Sequence, residues 1–295
     1  MIGTLILTGS SGLIGRRLLE LLVHHCRRIV CIDPVPSDLI GMNKALCDVV
    51  HVSSLAGVDE SIVQDCDIFI HGGGISDLEI AEDDVIGAVR NNILGAVECA
   101  ELALKVRCKN FIFLSSMHVY NTNASVYGIT KTASESLLLG YSKKGFTLGI
   151  LRLCSLYDND LRSSNYILAL KDLVQRARNT EVLFSNQKRD LLDNREFCAW
   201  LVRELTERGE IDGIFDINGA YSVEANTVVS ILAEMYSVDA KNITLASNGI
   251  QAYGSGNRFR ITPFRFKKNI TGQIDIPAKK TFERLLFDSF YDVDD

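Results

Sequence analysis

The chain has 295 residues, 47% of them hydrophobic and 23% charged, with four prolines and a formal net charge of −6. That length can bury a full core, that composition excludes a disordered chain, and the acidic balance offers no general attraction to nucleic acid or anionic membrane. Eight cysteines lie scattered in mostly apolar runs without a zinc spacing, so reduced thiols and no metal site are expected, in a cytoplasmic protein.

Residues 3–8 read as a short apolar strand. Leu13 to about Cys26 reads as a helix with Leu18, Leu19, Leu21 and Leu22 as its apolar stripe. Arg28–Ile32 is a second strand, stopped by Asp33-Pro34, and Asp67–His71 another, ended by Gly72-Gly73-Gly74. A long helix is predicted from about Asp83 to Val106, then a strand over Asn110–Leu114, a helix near Ala124–Lys143 and a strand over Thr147–Leu153.

Strands this apolar on both faces are covered by helices on each side, which predicts a parallel sheet. Right-handed crossovers then give a doubly wound α/β fold. After Leu153 the pattern loosens: Asn159–Asn165 is polar, Asn186–Arg195 is charged, and Ala246–Arg260 is rich in Gly, Ser and Asn. The expected division is a Rossmann-type domain over 1–155 and a smaller mixed α/β C-terminal substrate lobe over 156–295. Segments near 191–218 are expected to return to the main sheet. No apolar run reaches the ~20 residues that span a bilayer, and no cationic leader precedes the first strand. Neither a transmembrane helix nor a signal peptide is expected.

The first helix opens on Gly9, Gly12 and Gly15, within Thr8-Gly9-Ser10-Ser11-Gly12-Leu13-Ile14-Gly15. Glycines at such a turn let a pyrophosphate approach the backbone, where Ser11, Leu13 and Ile14 sit against a helix N-terminus. The spacing is GxxGxxG rather than the usual GxGxxG, so the context carries the reading. The triplet follows the first strand, and Asp33 closes the second strand 24 residues after Gly9. An acid there hydrogen-bonds ribose hydroxyls and repels a 2′-phosphate, which favours NAD over NADP. Arg16, next to Gly15, is the counter-signal, a cation able to receive a phosphate. Asp48 is a candidate neighbour of the adenine.

Tyr127 and Lys131 are four residues apart and share a face if both lie on one helix. A phenol has a pKa near 10, and a neighbouring ammonium brings the phenolate toward the working range. Ser115-Ser116 end a strand at the carboxyl edge of the sheet, where such folds bind ligands, and a serine there orients the substrate oxygen. This is machinery for oxidising or reducing a carbinol.

With these residues in view, the chain resembles the extended short-chain dehydrogenases/reductases, specifically the nucleotide-sugar epimerase/dehydratase family. Phe113-Leu114-Ser115-Ser116-Met117-His118-Val119-Tyr120 is similar to the family's serine-bearing strand with its Val-Tyr, and that register makes Ser116, not Ser115, the catalytic serine. The resemblance implies that Asn92, in Asn92-Ile93-Leu94-Gly95, anchors a water near the lysine. It also implies that Gly72 and Gly73, in His71-Gly72-Gly73-Gly74, form a backbone bend beside the cofactor, that His71 is structural, and that Arg189, in Lys188-Arg189-Asp190, grips a substrate diphosphate. The stretch Leu151–Tyr157 resembles the family's Arg-Pro-x-Asn-Val-Tyr-Gly but lacks its proline, asparagine and glycine.

The family's 4,6-dehydratases carry an Asp-Glu pair where this chain has Met117-His118, so dehydration is disfavoured. The resemblance therefore implies a nucleotide-sugar 4-epimerase with bound NAD. The alternatives are an NAD(P)H-dependent 4-keto-sugar reductase or a non-catalytic NAD-binding regulator. His118 is placed against the substrate, with an acid/base role open. The family further implies a homodimer joined through a four-helix bundle, with no nucleic-acid or membrane partner. Ala246–Arg265 is expected to select the sugar.

Overall fold

A computed structural model describes residues 1–36, 47–61, 63, 65–120, 125–158, 166–184, 188–245 and 271–276. The segment Ala246–Arg265 lies outside the described residues.

The first half alternates strands and helices. The order is β1 (Ile2–Thr8), α1 (Leu13–Leu22), β2 (Cys26–Ile32), β3 (Asp48–Val52) and β4 (Ile68–His71), then α2 (Leu78–Asp83), α3 (Val85–Ala88), a π-helical turn at Val89–Leu94 and α4 (Gly95–Lys105). β5 (Asn110–Ser116), α5 (Val126–Ser142) and β6 (Thr147–Leu153) complete this half. The second half holds β7 (Ser155–Tyr157), α6 (Tyr166–Arg176), β8 (Val182–Phe184), β9 (Lys188–Asp193), α7 (Asn194–Glu207), β10 (Gly213–Asn218), β11 (Tyr221–Glu224), α8 (Ala225–Met235), β12 (Ile243–Leu245) and β13 (Gly272–Asp275).

Eight strands form one parallel sheet in the order β13-β10-β6-β5-β4-β1-β2-β3. Strand order reverses between β1 and β4, which opens a crevice at their carboxyl ends. Alternation along each strand divides the core in two. Leu5, Leu7, Ile29, Cys31, Ile70, Ile112 and Leu114 pack on the side of α1 and α7. Ile6, Val30, Phe69, Phe111 and Phe113 pack on the side of α4 and α5, with Phe69 and Phe111 stacked at 5.0 Å. Both faces of the sheet are thus dry, as the continuous apolar runs require.

A smaller mixed sheet, β11-β9-β7, pairs β9 antiparallel to β11 and parallel to β7. Its own core combines Tyr157, Leu191 and the inner faces of α6 and α8. Within the segment expected to rejoin the main sheet, β10 does so beside β6, while β9 stays in the small sheet.

The single helix predicted over 83–106 falls into three pieces, α3, the π-helical turn and α4, with α2 before them. Asp84 interrupts it by accepting the Gly87 N–H at 2.9 Å and starting α3. The π-helical turn then widens the backbone and brings Asn92 inward, where it is 2% exposed. Asp48 is the first residue of β3.

Candidate active site

A cleft of about 890 Å³ runs along the carboxyl ends of β1, β2, β4, β5 and β6. Its floor begins with the turn between β1 and α1. Gly9 has φ +74°, and a side chain there would lie 2.8 Å from the backbone of Gly72 and Gly73. At Gly15 a Cβ would collide with the Gly9 carbonyl oxygen. The first turn of α1 has no side-chain cap and no acidic residue, so its N–H groups are left for an anion. Gly9, Ser11, Gly12, Leu13, Ile14 and Gly15 all line the cleft. These features fit a dinucleotide's pyrophosphate.

Asp33 lines the cleft at the end of β2. Its carboxylate accepts the Ser11 N–H at 3.0 Å, the Ser11 hydroxyl at 2.8 Å and the Val35 N–H at 2.9 Å. Asp33 and the Gly9–Gly15 loop are thereby one hydrogen-bonded unit. Arg16 donates to the Ser11 carbonyl at 2.5 Å and so braces this loop from outside the cleft wall.

Asp48, the candidate neighbour of the adenine, does not line the cleft. It is the first residue of β3, pairs with Arg28 at 2.7 Å and sits at the amino edge of the sheet, a strand length (~15 Å) from the ligand edge. The residues that line the cleft beyond β3 are Ser53, Ser54, Leu55 and Ala56. The sequence signal for them is the length of the strand that starts at Asp48.

At the end of β4, Gly72 and Gly73 form the opposite wall. Thr8 locks this bend: its hydroxyl meets His71 Nδ1 at 2.7 Å and accepts the Gly73 N–H at 3.1 Å. His71 Nε2 has no hydrogen-bond partner among the described residues, and the ring stacks on Phe113 at 5.5 Å. Burial, and then the charge of Lys131, push the His71 imidazole down to about 3, so it is neutral in the working range.

The Asn92 side chain is hydrogen-bonded on both of its polar atoms. Its Oδ1 accepts the Ile75 N–H at 2.8 Å, and its Nδ2 donates to the Ile75 carbonyl at 3.0 Å and to Thr130 Oγ1 at 2.9 Å. Both donors are committed, and the backbone carbonyl accepts the Ser134 hydroxyl at 2.9 Å. Asn92 thus clasps the β4 loop to α5. Thr130 continues it to the Tyr127 carbonyl at 2.9 Å.

Ser125 caps α5 by accepting the Gly128 N–H at 3.0 Å, so Tyr127 falls in the first turn and Lys131 one turn later. Both line the cleft, and Lys131 Nζ lies 6.0 Å from the Tyr127 ring centre. The ammonium donates to the Leu114 carbonyl at 3.0 Å and sits 4.6 Å above the Phe113 ring. Burial pushes Lys131 down to about 8, and Glu135 acts in the opposite sense.

The two serines part at the strand end, because successive side chains point to opposite faces. Ser115 also borders the cleft, but its hydroxyl is committed to Glu135 at 2.6 Å. Ser116 lines the cleft and accepts the His118 N–H at 3.2 Å, leaving its own proton to a ligand. His118 meets the Tyr127 ring edge-on at 5.5 Å. Burial, followed by the charge of Arg189, pushes its imidazole down to about 4. Arg189 completes this wall from β9, with Nη1 at 3.4 Å from the Ser155 hydroxyl.

Residues 5–218 match the model of the NAD dependent epimerase/dehydratase family. The chain belongs to that family.

Among curated relatives, a D-erythronate dehydrogenase from Haemophilus influenzae is 28% identical over 165 residues, 50% of this chain and 52% of that protein. The chain is thus matched over about half the length of its curated relatives. Among solved structures, the UDP-glucuronic acid 4-epimerase from Bacillus cereus in complex with NAD has a TM-score of 0.70 at 20% identity, covering 97% of this chain and 94% of that one. The UDP-N-acetylglucosamine 4-epimerase from Methanobrevibacter ruminantium has a TM-score of 0.72 at 16% identity, covering 98% and 96%. The epimerase/dehydratase fold therefore extends over essentially the whole chain, and membership makes this an enzyme family with NAD as its cofactor.

Proposed function

We propose that the protein is an NAD-dependent nucleotide-sugar epimerase acting through a transient 4-keto sugar. The observation that carries this reading is the convergence of the Gly9–Gly15 loop, Asp33, Ser116, Tyr127 and Lys131 on one cleft. The Gly9–Gly15 loop with the N-terminus of α1 would hold the pyrophosphate, and Asp33 the adenosine ribose. When bound, NAD supplies an acceptor for the carbinol hydride and a donor to return it.

Tyr127 takes the proton of the 4-hydroxyl and gives it back on reduction, while the Lys131 charge stabilises its phenolate. Ser116, whose oxygen already accepts from His118, donates its proton to the substrate oxygen. Arg189 and Ser155 form a polar corner suited to a diphosphate, where a guanidinium fork is strongest. His118 packs against Tyr127 as a neutral ring, and Met117 stands where an eliminating carboxylate would be needed, which supports epimerisation over dehydration. On this reading residues 1–155 hold mainly the cofactor and the rest mainly the substrate.

The likeness to a D-erythronate dehydrogenase favours one second reading, a net dehydrogenase or keto-sugar reductase that exchanges its nicotinamide. A panel of UDP-, dTDP-, GDP- and CDP-sugars assayed with both nicotinamides separates the two. Isomerisation without added cofactor supports the epimerase. Stoichiometric consumption of NAD(P)H or NAD replaces it with the second reading, and NAD binding without any turnover replaces both with a regulator.

The proposal includes a homodimer in a cytoplasmic setting. Ile80, Val85, Ile86 and Leu94, with Ile129 and Leu137 of α5, are exposed apolar side chains on neighbouring helices. Pairing that surface with a second copy would bury it in a four-helix bundle. The eight cysteines are buried thiols, which suits a reducing compartment. No helix among the described residues is long and apolar enough to cross a membrane.

A further inference from the structure

Behind the cleft runs a chain of buried polar side chains that the proposed chemistry leaves unused. Glu135 lies one turn beyond Lys131 on α5, on the same face, and is 3% exposed. Arg152, from β6, is 1% exposed and holds the Glu135 carboxylate by three contacts: Nη2 to Oε2 at 2.6 Å, and Nε to Oε1 at 3.0 Å and to Oε2 at 3.2 Å. Ser115 adds its hydroxyl to Oε1 at 2.6 Å. At the far end Arg152 Nη1 donates to Tyr120 Oη at 2.7 Å, and that hydroxyl donates to Asp216 Oδ1 at 2.6 Å. Burial pushes the Asp216 carboxyl up, and its Oδ2 has no partner among the described residues.

A buried ion pair is a weak source of stability, because apolar side chains of the same volume pack as well without the desolvation cost. Its position asks for another reason, and Lys131 supplies one. Lys131 is a buried ammonium with a carbonyl and an aromatic ring for company. Consecutive residues of β5 fix both charges: the Leu114 carbonyl holds the ammonium and the Ser115 hydroxyl holds the carboxylate. The other titratable groups around Lys131 are Tyr127 on its own helix and His71 from β4, with Cys99 of α4 at 3.5 Å from His71. Burial keeps His71 and Cys99 neutral. Arg152 and Asp216 stand beyond Glu135.

We propose that Glu135 is the buried counter-charge of Lys131, a positioning residue held in place by Arg152 and Ser115 and required for turnover although it touches neither substrate nor cofactor. The assignment rests on the Tyr127–Lys131 reading of the site. Without the carboxylate, Lys131 surrenders its proton at lower pH, the Tyr127 phenolate loses its partner, and the alkaline limb of the activity profile moves down.

The test follows the Lys131 side chain by NMR in full-length protein labelled with 13Cε-lysine, its signal assigned from Lys131→Arg, alongside the pH profile of kcat for whichever sugar nucleotide the panel shows to be turned over. Glu135→Gln should lower both the Lys131 midpoint and the alkaline limb by about one pH unit or more. Glu135→Gln combined with Arg152→Met removes both charges, guards against misfolding from an orphaned guanidinium, and should shift the midpoint in the same direction by less, because the guanidinium it removes is itself a positive charge. Glu135→Asp should restore most of it. A folded variant lacking Glu135 with a wild-type midpoint overturns the proposal. A shifted midpoint with a fully active Tyr127→Phe would instead leave the counter-charge standing and remove the catalytic reading.

Discussion

Ser11 and Asp33, one in the phosphate loop and one at the end of the second strand, are joined by two hydrogen bonds of 3.0 and 2.8 Å. The loop proposed to cradle the pyrophosphate and the acid proposed to read the ribose are therefore coupled. Asp33→Ala should weaken NAD at least ~10-fold, the loss of roughly one charge-assisted hydrogen bond, while NADP changes less. Titration of the apoprotein with each nucleotide checks this, and equal wild-type affinities would contradict the stated preference.

Tyr127→Phe removes the proposed proton acceptor but keeps the ring that packs against His118 at 5.5 Å. Turnover should fall ~10²-fold or more, with NAD affinity within about threefold of wild type. Steady-state kinetics with a parallel NAD titration makes the comparison. Unchanged kcat would remove Tyr127 from the mechanism.

Asn92→Ala should act on structure and cofactor together. It leaves both polar groups of the Ile75 backbone without their partner and frees Thr130 from the β4 loop. The expected cost is about 2 kcal/mol or more in unfolding free energy, with weakened NAD binding. Denaturant titration and calorimetry measure the two. A wild-type midpoint would show that the clasp is dispensable.

Stability should fall on acidification between about pH 6.5 and 4. His71 and His118 are held down to about 3 and about 4, so below pH ~6.5 the unfolded chain takes up protons that the folded chain refuses. Each contributes stability above its unfolded pKa that is lost as pH falls, about 2 kcal/mol apiece at pH 5. Asp216, held up by burial, works in the opposite sense and offsets part of this. Urea midpoints at pH 7.5 and 5 should show a smaller difference in His118→Gln than in wild type. An equal difference would place the acid sensitivity elsewhere.

The amino-acid sequence by itself determined the features that depend on near neighbours. The glycine triplet and its strand-to-helix turn lie within seven residues, Gly9 to Gly15, and Tyr127 and Lys131 are one helical turn apart. Apolar runs likewise announced a parallel sheet covered on both faces. Only the tertiary structure decided where a side chain points when its partner is remote in sequence. It turned Ser115 to Glu135 and Ser116 to the cleft, and set Asp48 at the wrong edge of the sheet for a ligand. It folded Asn92 inward through a π-helical turn that no propensity marks. It also assembled Glu135, Arg152, Tyr120 and Asp216, the last two separated by 96 residues. The reason is physical. Local geometry follows from backbone sterics within a few residues, whereas the orientation of a buried polar group is settled by which distant donors and acceptors the packed core brings within hydrogen-bonding reach.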